Sequence, residues 1–202
     1  MPAPRAFAGR SALFAAVGVM ACSTGSTTTT TRVPVTAAPP PARTQPPAPA
    51  YNATATAMMR DLVGSRVGTI TLTDTYAGLL IRGTISELGL GAHAIHLHSV
   101  GRCEPPFTTA GPHFNPDNRQ HGFKNPRGWH LGDLPNLDTP ASGRLTFEFL
   151  LTGVTLRGKN ALVDGDGASI IIHASRDDHV TDPAGDSGAR AACGVITLSA
   201  SR

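Results

Sequence analysis

The stretch "RLTFEFL", Arg144 to Leu150, alternates strictly. Leu145, Phe147 and Phe149 fall on one face and Arg144, Thr146 and Glu148 on the other, as in a strand with one side on a core, where successive side chains point to opposite faces. Working outward, "VGTITLTDT" (67–75) and "LLIRGTISEL" (79–88) are rich in β-branched residues and bounded by turn formers. "ASIIIH" (168–173) and "GVITLS" (194–199) are short apolar runs beside glycine. No stretch holds a helical period over three turns. The pattern is that of an all-β domain, an antiparallel sandwich or barrel of short strands. Two long segments, roughly 99–143 and 174–192, carry Gly, Pro, Asp and Asn instead of an apolar period. Loops of that length in a compact domain are usually functional or disordered. Most of the histidines lie in or beside them.

The chain has 202 residues and is not uniform. All its acidic residues and all eight histidines lie after residue 56, and the only charges before that are Arg5, Arg10, Arg32 and Arg43. The net charge of +3 therefore splits, leaving 13 basic against 14 acidic residues, or −1, for residues 57–202. No basic stripe suggests a nucleic-acid partner. Residues 1–21 read as a signal peptide: two arginines, then the apolar "SALFAAVGVMA", too short to span a bilayer as a helix. "VMAC" resembles a bacterial lipobox, which makes Cys22 a lipidation candidate and a membrane anchor; plain secretion with a spare thiol at Cys22 is the alternative. Residues 22–56 are a Thr/Pro/Ala-rich tether with seven prolines between Pro34 and Pro49, too poor in large apolar groups to offset the entropy of ordering. The domain is expected to begin at residue 57. At that size it buries roughly 70% of its unfolded surface. With Cys22 assigned to the leader, Cys103 and Cys193 remain, and an even pair in an exported chain reads as one disulfide. It would close a loop of about 90 residues, worth on the order of 4–5 kcal/mol in the chain-entropy treatment.

In "AIHLH", His96 and His98 at positions i and i+2 of a strand share a face, and His93 faces the other way. Such a pair suits a metal, although a polar strand edge is also consistent with it. The first loop adds His113, His121, His130 and Asp133, spaced 8, 9 and 3. Three imidazoles and a carboxylate make a closed four-coordinate set of the kind zinc takes. His173, at the end of "SIIIH", could join His96 and His98 in an all-imidazole site, and four nitrogens in tetragonal array favour Cu(II).

Together, "GAHAIHLH", "AGPHFNP", "HLGDLPNL" and "GDSGARAACGVI" resemble the copper–zinc superoxide dismutases of the bacterial exported kind, over about residues 57–202. The resemblance implies an eight-stranded Greek-key β-barrel with two long functional loops. It implies that His96, His98, His113 and His173 hold one copper, and that His113, His121, His130 and Asp133 hold one zinc, with His113 bridging both. Asp177 matches the carboxylate that links a copper histidine to a zinc histidine, and Arg190 the arginine at the mouth of the copper channel. Cys103–Cys193 matches the family disulfide. The implied reaction is 2 O2•− + 2 H+ → O2 + H2O2 with superoxide as substrate, copper cycling, His113 carrying a proton and Arg190 orienting the anion. An inactive homologue that stores or delivers metal is the alternative, and a zinc hydrolase is disfavoured because four protein ligands leave no open position. The second loop lacks the lysine-bearing steering element of eukaryotic relatives. Pro126, Trp129 and His179 acquire no role, and no patch is diagnostic of an oligomer.

Overall fold

The structure is a computed structural model and describes residues 53–200. The leader, Cys22 and the tether up to residue 52 lie outside the described residues.

The described residues form nine strands and one turn of 3-10 helix, Thr108–Ala110. The strands are β1 (Thr54–Asp61), β2 (Arg66–Thr75), β3 (Gly78–Ser86), β4 (Gly91–His93), β5 (Ile95–His98), β6 (Leu137–Thr139), β7 (Arg144–Leu151), β8 (Ser169–His173) and β9 (Arg190–Leu198). Seven pair in the order β5-β8-β9-β1-β2-β3-β7, and β4 pairs with β6. Only Ala94 separates β4 from β5. Its N–H donates to Ser175 O at 2.8 Å and its carbonyl accepts from His173 N–H at 2.9 Å, so one bent segment changes partners there without leaving a backbone group unpaired. Counted as one, β4 and β5 bring the total to the expected eight.

β7 contains the alternating stretch, and Leu145, Phe147, Phe149 and Leu151 are its half-buried face, packed on the core. Phe147 stands opposite Gly83 of β3. A Cβ on Gly83 would come within 2.3 Å of the Phe147 ring, so the glycine makes room for the aromatic, a cross-strand device found in curved sheets. Ala55, Ala57 and Met59 of β1, Ile70 and Leu72 of β2, Leu79 and Ile81 of β3, and Ile170 and Ile172 of β8 are fully buried. Each large aliphatic side chain so buried contributes about 1.5–3 kcal/mol.

Three expectations shift. The sheet begins at Thr54, not at 57: "TATA" pairs with β2 and β9, and its alternation is faint because alanine carries little apolar weight. The first long segment contains β6. A further irregular connection, 152–168, joins β7 to β8.

Cys103, in the loop after β5, is bonded to Cys193 of β9, with Cα atoms 5.6 Å apart. Around it Phe107, Ala110 and Ile171 form a small second core. The bond thus ties the first long loop to the sheet beside the strand that ends in His173.

Candidate metal centre

β5 is hydrogen-bonded to β8 on one side and lined by the long loop on the other. Leu97 N–H donates to Gly132 O at 2.9 Å, Phe114 N–H to Leu97 O at 2.8 Å, and Gly132 N–H to Phe114 O at 2.8 Å. A Cβ at Gly132 would lie 2.5 Å from Leu97 O, so only glycine lets the loop approach this closely. Residues 113 and 133 are thereby set beside His98 and His96. The four residues of β5 are all buried. His93 is buried on the opposite face, its ring nitrogens 2.9 Å from His173 O and 2.8 Å from Gly89 O.

His96, His98, His113 and His173 bring one nitrogen each within 4.8 Å of the others. Three of these rings are oriented from behind: His96 Nε2–H donates to Asp177 Oδ2 at 2.8 Å, His98 Nδ1–H to Gly111 O at 2.9 Å, and His173 Nδ1–H to Gly188 O at 3.2 Å. The inward atoms, His96 Nδ1, His98 Nε2, His113 Nε2 and His173 Nε2, are buried without a hydrogen-bond partner. An unmet buried polar atom costs about 1–3 kcal/mol. Four of them facing one point, with their tautomers fixed by the bonds behind, fit a cation that takes imidazole ligands.

On the other side of His113, Asp133 Oδ1 lies 2.9 Å from His113 Nδ1, 3.0 Å from His121 Nδ1 and 3.2 Å from His130 Nδ1, and His113 and His130 Nδ1 are 3.2 Å apart. A regular tetrahedron of ligands at zinc distances has edges of about 3.3 Å, so these spacings fit zinc. Asp133 Oδ2 accepts from the N–H groups of Gly122 and His130 at 2.9 and 3.1 Å, which leaves Oδ1 free to face the point of convergence. A looser grouping within 4.8 Å places His96 with His113, His121 and Asp133. His130 fits the tetrahedron better, because its Nδ1 has the edge distances and His96 turns its Nδ1 to the other cluster.

Asp177 spans the two sets. Oδ2 accepts from His96 Nε2–H, and Oδ1 lies 2.9 Å from His121 Nε2. Burial pushes the Asp133 carboxyl up, but contacts from His113, His121 and His130 outweigh it and hold the group well below the usual carboxylate range. Asp177 behaves likewise, through His121 and His96. Burial lowers His96 to about 3 even though Asp177 opposes the shift, lowers His173 to about 4, and lowers His98 as well. The copper-side nitrogens are therefore neutral and able to bind metal at any physiological pH. Burial also acts to lower His121, but Asp133 and Asp177 on its two nitrogens raise it to about 9, so a metal cation binding there would displace a proton.

Arg190, at the start of β9, donates through its two terminal nitrogens to Phe107 O at 2.6 Å and Gly111 O at 2.8 Å. Gly111 O is also the acceptor for His98, so one carbonyl fixes both the arginine and a copper-side ring.

Residues 66–196 match the family described as copper/zinc superoxide dismutase (SODC). The chain belongs to the copper/zinc superoxide dismutase family. It is similar to superoxide dismutase [Cu-Zn] 1 of Aquifex aeolicus, 42% identical over 137 residues, which cover 66% of this chain and 81% of that one. It is also similar to superoxide dismutase [Cu-Zn] of Caulobacter vibrioides, 42% identical over 147 residues, 70% of this chain and 84% of that one. Among solved structures, a SOD-like protein from Bacillus subtilis matches with a TM-score of 0.67 at 37% identity, covering 69% of this chain and 96% of that one. The Cu/Zn superoxide dismutase of Brucella abortus matches at 0.58 and 28% identity, covering 71% and 99%. Copper and zinc, the metals of the family name, are those the two donor sets fit.

Every candidate named from the domain's sequence lies in this one region: the seven candidate ligands, Asp177, Arg190 and the disulfide. The sequence reading missed two residues that hold Asp177 in place. Asn136 grips its peptide at both ends, accepting from Asp177 N–H at 2.7 Å and donating to Asp177 O at 2.9 Å. Gly185 packs flat against its carboxylate. The only sequence signals for them were the asparagine of "HLGDLPNL" and the glycine opening "GDSGAR".

Proposed function

We propose that this family member disproportionates superoxide outside the cytoplasm, with copper at His96, His98, His113 and His173 and zinc at His113, His121, His130 and Asp133. One observation carries the reading: His113 turns Nδ1 into a set with tetrahedral spacing and a partnerless Nε2 into a four-imidazole set. A single ring shared in this way suits two cations of different coordination preference. Copper bound there would supply one-electron chemistry by cycling between Cu(II) and Cu(I). The protein's own part is positional and electrostatic. Arg190 is always cationic, and with its fork fixed on two carbonyls it presents a stationary charge to a small anion. His113 Nε2 is the atom at which a proton is held and passed to product, and Asp133 and His130 keep its ring from turning. Gly188 O, Gly111 O and Asp177 hold the other three rings.

The test is a xanthine-oxidase-coupled superoxide assay on the purified chain loaded with both metals. We expect activity that vanishes on chelation and returns with copper; a fully loaded but inactive protein would point to metal storage instead. In the same assay Arg190→Ala should keep both metals and lose about tenfold in rate, ~1.4 kcal/mol. Its rate should also depend less on ionic strength, because the long-range part of the attraction is screened over about 8 Å at physiological salt. Full activity at low salt would remove Arg190 from the reaction.

We further propose that the protein is exported and anchored by lipid at Cys22. Support comes from "VMAC" after an apolar run and from the Cys103–Cys193 bond, which suits an oxidising compartment. Mass spectrometry of the mature chain should find a lipidated N-terminal Cys22; an intact leader, or an unmodified N-terminus elsewhere, rejects the anchor.

A further inference from the structure

Two histidines belong to neither donor set, His93 on the far face of the sheet and His179. His179 lies two residues past Asp177, in the left-handed region at φ 61, with its side chain 14% exposed. Its backbone N–H donates to Asp177 Oδ1 at 2.6 Å. Its ring stacks on Phe123, with centroids 5.2 Å apart and planes at 37°, and its carbonyl accepts from Lys124 N–H at 2.9 Å. The loop that carries Asp177 is thus pinned to the loop that carries His121 at both the backbone and the ring of His179.

The ring's proton can be assigned from its neighbours. Asn136 accepts from Asp177 N–H through Oδ1 and donates to Asp177 O through Nδ2, which fixes which end of the amide is nitrogen. That nitrogen lies 3.2 Å from His179 Nε2. It can only donate, so Nε2 accepts and the proton sits on Nδ1. His179 Nδ1 is buried with no hydrogen-bond partner, and the nearest carboxylate oxygen is Asp177 Oδ2, at 3.4 Å. That is long for a hydrogen bond, but an N–H dipole this close to a buried carboxylate still acts on it where water cannot screen.

We propose that His179 is a positioning residue for the metal centre: with Asn136 and Phe123 holding its ring, its Nδ1–H and backbone N–H clamp the Asp177 carboxylate in the rotation that serves His96 and His121 together. The inference rests on the reading that Asp177 joins a copper ligand to a zinc ligand. The clamp would act on metal retention, since partners behind metal ligands typically change affinity by about 10- to 100-fold.

The test uses the full chain loaded with both metals, in three forms: parent, His179→Gly and His179→Asn. Glycine and asparagine both tolerate the left-handed backbone, so the comparison isolates the ring. Zinc release into a chromogenic chelator should be about tenfold faster in His179→Gly than in the parent. His179→Asn, whose amide N–H can take the place of Nδ1–H, should fall between them. The visible absorption of bound Cu(II) should shift in His179→Gly and return toward the parent in His179→Asn. The unfolding midpoints of the chelator-treated chains should stay close together. Zinc release at the parent's rate in His179→Gly overturns the proposal. So do equally fast release from both variants and a matching drop in their metal-free midpoints, the result expected of a residue that only shapes the loop. A parent that retains no zinc defeats the assignment of the centre itself, and the clamp with it.

Discussion

His98→Ala is expected to abolish dismutation while leaving zinc bound. His98 is the copper-side ligand with the fewest other duties. His113 belongs to both sets, and His96 is tied through Asp177 to His121, so removing either would disturb the zinc side. His173 donates from its ring Nδ1–H to Gly188 O, and its backbone N–H takes part in the bend at Ala94. The His98 ring bonds only to Gly111 O, which keeps Arg190 as a donor at 2.8 Å after the ring is gone. The substitution removes one of four inward nitrogens and little else. We expect a loss of at least about 10³-fold in rate, ~4 kcal/mol of transition-state stabilisation. Elemental analysis should still find about one zinc per chain, as the closed four-ligand set requires. Activity within a few-fold of the parent would mean that the copper set is drawn wrongly. Loss of zinc together with activity would mean that the two sets are not separable.

How much of this could be read from the sequence follows from where the information lies. Strand faces are local. "RLTFEFL" gives its buried side by alternation alone, and the β-branched or apolar runs that become β2, β3, β8 and β9 mark strands by composition, although β8 is buried on both faces. "TATA" shows the limit: Ala55 and Ala57 are fully buried, yet alternating alanine with threonine hardly modulates hydrophobicity, so the strand blends into the tether in sequence. Ligand types were also legible, because histidines at such density have few other uses. Which histidine serves both metals was not. His113 faces both donor sets because the loop folds back along β5 through Gly132 and Phe114, and only the family resemblance supplied that. Arg190 shows the same dependence, since nothing in "GARAACG" says that its fork reaches Phe107 and Gly111. The residues missed altogether, Asn136 and Gly185, work only where two loops more than 40 positions apart in sequence meet over Asp177. Neither has a local pattern: Asn136 reads the peptide of a residue 41 positions on, and Gly185 matters because the loop turns back on its own Asp177 carboxylate beneath His121.

Gly185→Ala carries the largest effect expected of any change outside the ligands. A Cβ at this position would lie 1.8 Å from Asp177 Oδ1 and 2.7 Å from His121 Nε2, and the backbone stands at φ +67. The glycine cannot retreat, because its N–H donates to Thr181 O at 2.6 Å and its carbonyl accepts from Asp178 N–H at 2.9 Å. The carboxylate must move instead, leaving His96 and His121 without the oxygens that orient them. A left-handed alanine costs roughly 1–2 kcal/mol, and breaking a buried ion pair on one side costs roughly 3–5 kcal/mol. Against the roughly 5–15 kcal/mol of a typical domain, that is a large share. For a chain of this size, ~4 kcal/mol lowers the melting midpoint by roughly 10–15 °C, to be measured on chelator-treated protein by calorimetry. Zinc affinity should fall by about 100-fold, the upper end for partners behind a metal ligand. Gly165→Ala is the control, since a Cβ there meets nothing within 4 Å, and it should match the parent in both measurements. If Gly185→Ala keeps its midpoint and its zinc, then Asp177 can step aside at no cost, and a carboxylate free to do that is not what holds the two metal ligands in register.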